Sequence, residues 1–411
     1  MTSGTSSSPQ LSAFRHTPYL IYWLSRSVAV FAAQIQITAL GWQVYDATES
    51  AFLLGLIGLS QFLPALLLVL VTGAVADRAP RRLIMTICMM SMAGVAGSFL
   101  IYTVSGSQIV WILFGLLVIF GTARAFMGPA VQALLPNIVP PALLSKAIAL
   151  NSSAWQLATI IGPVAGGLLY GLSPVAAYLA ATVLMGLAAL LTFFIPKPDQ
   201  HRESEPRSWD TILAGFKYIW KEKIVLGAIS LDLFAVLLGG AVALLPVFAR
   251  DILEVGPVGL GLLRAAPGIG AIAVAIYLAT RSIKDHAGLF LFVFVAVFGV
   301  MIVVFGFSEL AWVSILALMF AGGADMISVY IRETLIQLWT PDRLRGRVNA
   351  VNMIFIGASN ELGEFRAGVV AAMIGAKATV VLGGAGTLAV AAIWAKLFPE
   401  LRKARHLGGR P

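Results

Sequence analysis

FLLGLIGLSQFLPALLLVLVTGAVADRAPRRLIMTICMMSMAGVAGSFLIYTV, residues 52–104, decides the fold. Two apolar runs, 52–76 and 83–104, flank a short connection that carries Asp77, Arg78, Arg81 and Arg82. Each run is long enough to cross the hydrocarbon of a bilayer as a helix, which takes roughly 20 residues. A charged connection this short sends the chain straight back, so the two runs form an antiparallel pair.

Working outward, the same pattern fills the chain. Apolar runs bounded by Gly, Pro and charge clusters fall at 19–43, 52–76, 83–104, 110–130, 148–171 and 175–195, and after a polar break at 225–248, 259–280, 288–307, 311–331, 349–374 and 378–398. Of the 411 residues 59% are hydrophobic and 11% charged, against about a quarter charged in a soluble domain. The expectation is an all-α polytopic membrane protein of twelve transmembrane helices, with no room for a sizeable soluble domain. The first apolar run is too long for the core of a cleaved signal, so the first helix stays.

Charge sets the expected orientation. With the N-terminus in the cytoplasm, Arg250 and Lys377 are the only two of 28 Lys and Arg that fall outside, while Arg26, Arg124, Arg264 and Arg366 lie within spans. That asymmetry places both termini inside, and the expected location is the cell (inner) membrane, crossed many times. The net charge of +9 therefore reflects topology. A nucleic-acid surface would gather its cations on one folded face with aromatics between them, and here they are scattered over short loops. One cysteine, Cys88, excludes disulfides and multi-cysteine metal sites, and four histidines leave little for haem. The expectation is no metal, no cofactor and no nucleic acid. The chain lacks a Ser/His/Asp arrangement, metal-ligand spacing and a phosphate-cradling glycine loop, so it does not read as an enzyme.

A repeat divides the chain. A shift of 201 residues superposes Lys146-AIAL-Asn151 on Arg347-VNAV-Asn352, Gly162 on Gly363 and Gly167 on Gly368. Internal symmetry of this kind marks a duplicated transporter. It gives two pseudo-symmetric six-helix bundles, 1–195 and 225–411, joined by a linker, 196–224. Within the linker Trp209, Ile212, Leu213, Phe216 and Trp220 stand at helical spacing beside Lys217, Lys221 and Lys223, as in an amphipathic helix lying in the headgroup layer.

The connection Gly73-Ala-Val-Ala-Asp77-Arg78-Ala-Pro-Arg81-Arg82 resembles the G-x-x-x-D-R-x-x-R-R/K loop of the major facilitator superfamily, and it lies where that loop lies, between spans two and three. The resemblance implies a cytoplasmic latch, formed by Gly73, Asp77, Arg78, Arg81 and Arg82, that holds the two halves together in the outward-facing state. Arg124-Ala-Phe-Met-Gly128 is similar to the superfamily's R-x-x-x-G motif. Gly162-Pro163-Val-Ala-Gly166-Gly167 is similar to the G-P-x-x-G-G element of its drug and proton antiporters, which favours antiport; packing alone would also use Gly162, Pro163, Gly166 and Gly167. Arg15 and Tyr19 ahead of Arg26, the spacing from Ile212 to Trp220, and TPDRLRGRVNAVN leading to SNELGEFRAG resemble the branch that holds the enterobactin exporter and macrolide efflux proteins.

Ionisable residues inside spans are the strongest functional signal. Each costs roughly 2.5–3.5 kcal/mol at mid-membrane for Arg or Asp, so they pair or face a wet cavity. Glu361 and Glu364 are three apart and share a helix face, while Arg366 points elsewhere. Two like charges so placed resist ionising together, which suits a carrier of protons; permanent neutralisation by arginines is the competing reading. Asp232 and Asp325 join the glutamates as proton-coupling candidates, with Arg26 facing Asp232 and Arg124 facing Asp325 as expected pairs. Arg26, Gln34, Arg124, Arg366 and Asn360 are the substrate-cavity candidates, and Arg26 or Arg124 would attract an anionic group. Arg264 is read as reaching the interface from a span end. Gln36, Gln61, Gln156 and Asn352 are read as glue between helices, and no aromatic or methionine is assigned to a pocket.

These readings converge on a secondary active transporter, a monomer that exports a small amphiphilic molecule, a siderophore or a lipophilic drug, by alternating access in exchange for protons. The alternative is a passive facilitator or importer on the same fold.

Overall fold

The computed structural model describes residues 13–197, 209–281 and 285–404. Among the described residues there is no strand. Helices α1 Thr17–Thr48, α2 Ala51–Arg78, α3 Arg81–Val104, α4 Trp111–Ile138, α5 Leu144–Leu172 and α6 Pro174–Thr192 form a first packed set. A short helix, α7 Trp209–Lys221, precedes a second set, which begins with α8 Lys223–Gly239 and the single turn α9 Leu245–Val247. It continues with α10 Gly256–Thr280, α11 Ala287–Phe307, α12 Ala311–Trp339, α13 Asp342–Ile374, α14 Ala376–Leu397 and the last turn α15 Pro399–Arg402.

The long helices run alternately between two ends of the molecule. The near end carries the start of α1 and the end of α14, and the far end carries the α1–α2 turn. Local chemistry marks the reversals. The Ser50 hydroxyl caps α2 by accepting from the Leu53 amide at 3.4 Å, the Ser173 hydroxyl caps α6 from the Val175 amide at 3.2 Å, and Gly375, at φ +86°, turns α13 directly into α14.

Eleven described stretches are long and apolar enough to cross a membrane, and the chain is a multi-pass membrane protein. The expected span 349–374 is missing from those eleven. It lies in α13, whose 33 residues reach about 50 Å but carry Glu361, Glu364 and Arg366 besides a charged first turn. The polarity of Glu361, Glu364 and Arg366 is what hides this helix from a hydropathy measure.

The expected span 225–248 is broken. It follows α8 to Gly239, unwinds at Gly240, and resumes as a 3-10 turn Val242–Leu244, then α9, then a π-turn Phe248–Ile252. Adjacent glycines supply no side chain to hold the helix, and Pro246 cannot donate to it. The freed Leu238 carbonyl accepts a hydrogen bond from Arg366 Nη2 at 2.6 Å, so the break is satisfied by the arginine of α13.

The repeat seen in the sequence is a repeat of helix crossings. A Cβ on Gly167 of α5 would stand 3.1 Å from the Gly261 Cα of α10, and one on Gly368 of α13 would stand 2.7 Å from the Gly55 Cα of α2. These equivalent glycines therefore make the two closest approaches between the first and second sets, both at the far end. Gly121 and Gly322, also 201 apart, bring α4 against α2 and α12 against α10 within each set. Backbone contact of this closeness replaces the hydrophobic drive that lipid removes between helices.

Gly322→Ala is expected to force α12 off the Pro267 backbone, at a cost of about 1–3 kcal/mol, and to lower the thermal unfolding midpoint of the detergent-purified protein. Gly94→Ala, with nothing within 4 Å, leaves the midpoint unchanged. Equal midpoints for both variants would contradict this packing.

Candidate functional site

A cavity of 590 Å³ lies between the two sets, walled by α1, α2, α3, α4, α5, α10 and α13 and by the broken segment around Val242 and Pro246. Its apolar wall includes Met89, Met92, Phe120 and Met127. Its charged groups are Arg26, Arg124, Arg264, Glu361 and Glu364, three guanidiniums to two carboxylates. Gln34, Gln36, Gln61 and Gln132 add neutral polar groups.

The two glutamates of α13 meet at one point. A Cβ on Gly58 of α2 would stand 2.8 Å from Glu361 Oε2 and 3.1 Å from Glu364 Oε2. The three-residue spacing puts both on one face, as expected, and the glycine opposite gives both carboxylates room. Arg124 and Arg264 line the same cavity as the two glutamates. Among the described residues no ion pair within 4.0 Å ties any of the four together. Arg124 Nη1 instead donates to Gln61 Oε1 at 3.3 Å. The glutamates are thus near cations without being locked to them.

The cavity is shut at the far end. Besides the two glycine crossings, Arg250 of the π-turn pairs with Asp46 at 3.3 Å and Glu49 at 3.2 Å across the sets, and the Tyr45 hydroxyl donates to the Asp251 carboxylate. Asp46 and Glu49 are more than half exposed, and exposed pairs of this kind are worth about 0–1 kcal/mol each. Backbone packing at the glycines therefore carries the closure, and the ion pairs fix its register. Toward the near end the cavity joins a second chamber between α1, α4 and α5, through their shared residues Arg26, Val131, Gln132 and Trp155.

Several sequence expectations change. Arg264 lines the cavity beside Gly41 rather than reaching the interface. Asp232 does not face Arg26; it pairs with Arg332 in a nearly closed site, where their side chains are 11% and 3% exposed. Arg332 sits one residue beyond the expected end of its span, and extending the helix to Trp339 would have found it. Asp325 lies on α12, outside the cavity wall, and no ion pair joins it to Arg124. Arg366 serves the α8 break instead of the cavity. Asn360 is exposed, and its amide donates back to the Ile356 carbonyl of its own helix at 2.9 Å. Gln36, Gln61, Met89, Met92 and Trp155, none assigned to a pocket from sequence, all line the cavity.

The motif glycines do what close packing requires. Gly162 and Gly166 lie against Gln34 and Ile35 of α1, and the Pro163 carbonyl lies against Gly261. Gly128 lines the cavity with Arg124. In the 73–82 connection Gly73 is buried and Arg78 exposed, while Arg81 donates to the Ala133 carbonyl at 2.9 Å and Arg82 to the Phe193 carbonyl at 2.5 Å, both within the first set. The Asp77 side chain lies outside the described residues, as do most of 196–208 and the side chains of Trp209, Ile212 and Leu213.

Residues 8–407 match the family described as transmembrane secretion effector. The enterobactin exporters EntS of Shigella boydii serotype 4 and of Citrobacter koseri are 24% and 25% identical over 409 residues, covering 95% of this chain and 94% of each exporter. The crystal structure of a bacterial homologue of the human lysosomal transporter Spinster, inward-facing and occupied, superposes with a TM-score of 0.72 at 13% identity over 95% of this chain and 97% of its own. At that identity the likeness is one of fold.

Asp232→Asn leaves buried Arg332 with only Glu333, 3.9 Å away, as counter-charge, a loss of up to about 3–5 kcal/mol. Its thermal midpoint in detergent is expected to fall well below that of the wild type, while Glu361→Gln, which has no ion pair to lose, keeps the wild-type value. An unchanged midpoint for Asp232→Asn would contradict a structural role for this pair.

Proposed function

Because the chain belongs to the transmembrane secretion effector family of major facilitator transporters, we propose that it is a secondary active exporter that couples inward proton flow to outward movement of a small amphiphilic molecule. The observation that carries this reading is the meeting of Glu361 and Glu364 over Gly58, where α2 and α13 cross. The groups that would take a proton stand in the cavity and at a seam between the two sets at once.

The coupling follows from electrostatics. With both glutamates ionised, two like charges are crowded into the seam in a medium of low dielectric, and their repulsion loosens the α2–α13 packing that shuts the far end. A proton arriving from outside neutralises one of them and lets the seam close. The cavity then faces the near end, releases the proton and takes up its cargo. On this reading the near end is cytoplasmic, both termini lie there, and the protein is a monomer of the inner membrane. Bundles 1–195 and 225–411 rock about the cavity with 196–224 as tether. The 73–82 connection latches the near end in the opposite state; here Arg81 and Arg82 donate to carbonyls of their own set. The cavity's mixture of methionine, phenylalanine and charge suits an amphiphile, and the enterobactin exporters among the relatives favour a siderophore within that class.

Glu361→Gln and Glu364→Gln are each expected to abolish efflux driven by a pH gradient in inverted vesicles while inserting normally. Full activity in both variants would overturn the proton-coupling role. In loaded cells an uncoupler of the proton gradient should stop export, and continued export would favour a passive facilitator.

A further inference from the structure

The second chamber, of 570 Å³, lies wholly within the first set, between α1, α4 and α5, and runs past Leu135 and Ile148 toward the near end. Its lining contains hydrogen-bond donors and no acid. Arg26 Nη1 donates to the Tyr22 hydroxyl at 3.3 Å, and among the described residues no carboxylate lies within 4.0 Å of Arg26. Asn151 lines the same chamber, is only 9% exposed, and its Nδ2 has no hydrogen-bond partner. A buried amide donor left unmet is costly, and native proteins rarely tolerate one without a reason.

The repeat identifies what would meet it. Asn352, 201 residues on from Asn151, donates through the same nitrogen to Glu333 Oε1 at 2.9 Å, and Glu333 lies 3.9 Å from the Arg332 guanidinium. The second set thus holds an amide, a carboxylate and a guanidinium side by side. In the first set the position of Glu333 is taken by Gln132 and that of Arg332 by Val131, while Arg26 of α1 brings a guanidinium to the same chamber. Amide and guanidinium remain; the carboxylate between them does not.

We propose that this chamber is a binding subsite for an oxyanion head, a carboxylate or equivalent acidic group, whose apolar body extends past Trp155 into the central cavity. The head accepts from Arg26 and Asn151, with Gln132 at the junction of the two spaces. Arg124 and Arg264 are poorer receptors, because they share the central cavity with two carboxylates that would repel an anion, whereas the second chamber has none. Resting on the export reading, the inference assigns the cargo an acidic head; the same chemistry is offered by the phosphate of an anionic phospholipid.

The test uses the full chain in phosphatidylcholine nanodiscs without a gradient, titrated with 2-naphthylacetate and with its neutral analogue 2-naphthylacetamide by calorimetry, empty discs subtracted. The wild type is expected to bind the acid about tenfold more tightly than the amide, as one charge-assisted contact provides. Arg26→Gln should abolish that preference and Arg26→Lys restore most of it. Ser152→Trp, which fills the chamber without touching the arginine, should abolish it too. Equal binding by the wild type overturns the proposal, as does a preference that survives both Arg26→Gln and Ser152→Trp. Adding phosphatidylglycerol to the discs separates the sources: competition in the wild type alone assigns the head to lipid, and unchanged binding assigns it to a soluble acid, with the oxyanion subsite supported in either case. Failure here leaves proton-coupled export standing, since no gradient enters the measurement, and active Glu361→Gln and Glu364→Gln variants would leave this binding unchanged.

Discussion

Glu361, Glu364 and Gly58 occupy one small volume at the crossing of α2 and α13, and that crowding constrains much else in the molecule. The crossing can be close because Gly55 and Gly368 present bare backbone to each other, and the same closeness forces the carboxylates together against α2. Arg124 and Arg264 share the cavity with the glutamates without an ion pair to either among the described residues, as the proposed change of protonation state requires. Had either arginine formed a direct buried ion pair, removing the charge would have become a cost of several kcal/mol rather than a switch. The far-end ion pairs around Arg250 are exposed and individually weak, which leaves glycine packing as the main contact holding the two sets together there, and in the proposed cycle the glutamate pair acts on that packing.

The architecture was largely legible in the sequence, because bilayer thickness translates directly into run length. Eleven crossings stand out by apolarity, and the 201-residue repeat found the glycines that form both seams. Sequence reasoning failed where two helices must be oriented relative to each other. The sharing of a face by Glu361 and Glu364, and the divergence of Arg366, follow from one helix's geometry and were readable. That Arg264 comes in from α10 to face Glu364, or that Asp232 finds Arg332 rather than Arg26, depends on rotation and depth of separate helices. The break after Gly239 was legible in principle, since adjacent glycines followed by Pro246 are a helix-breaking signal, but continuous apolarity masked it.

The two sets share their crossings and differ in their polar interiors. In the second, Asp232 and Glu333 both lie within ion-pair distance of Arg332, and Asn352 donates to Glu333. In the first, Arg26, Gln132 and Asn151 line open space. Duplicated scaffolds keep the contacts that make both halves fold and diverge at the positions that meet a ligand, so asymmetry between equivalent residues is itself a guide to where chemistry occurs.

The central claim is that the charge on Glu361 and Glu364 governs which end is open, and paired spin labels test it directly. One pair, at Thr48 and Glu254, reports the far end, and another, at Arg78 and Arg343, reports the near end. Raising the pH should lengthen the first distance and shorten the second, while a Glu361→Gln, Glu364→Gln double variant should hold the far end short at every pH. Distances at both ends that ignore pH, or that lengthen together, would contradict the account.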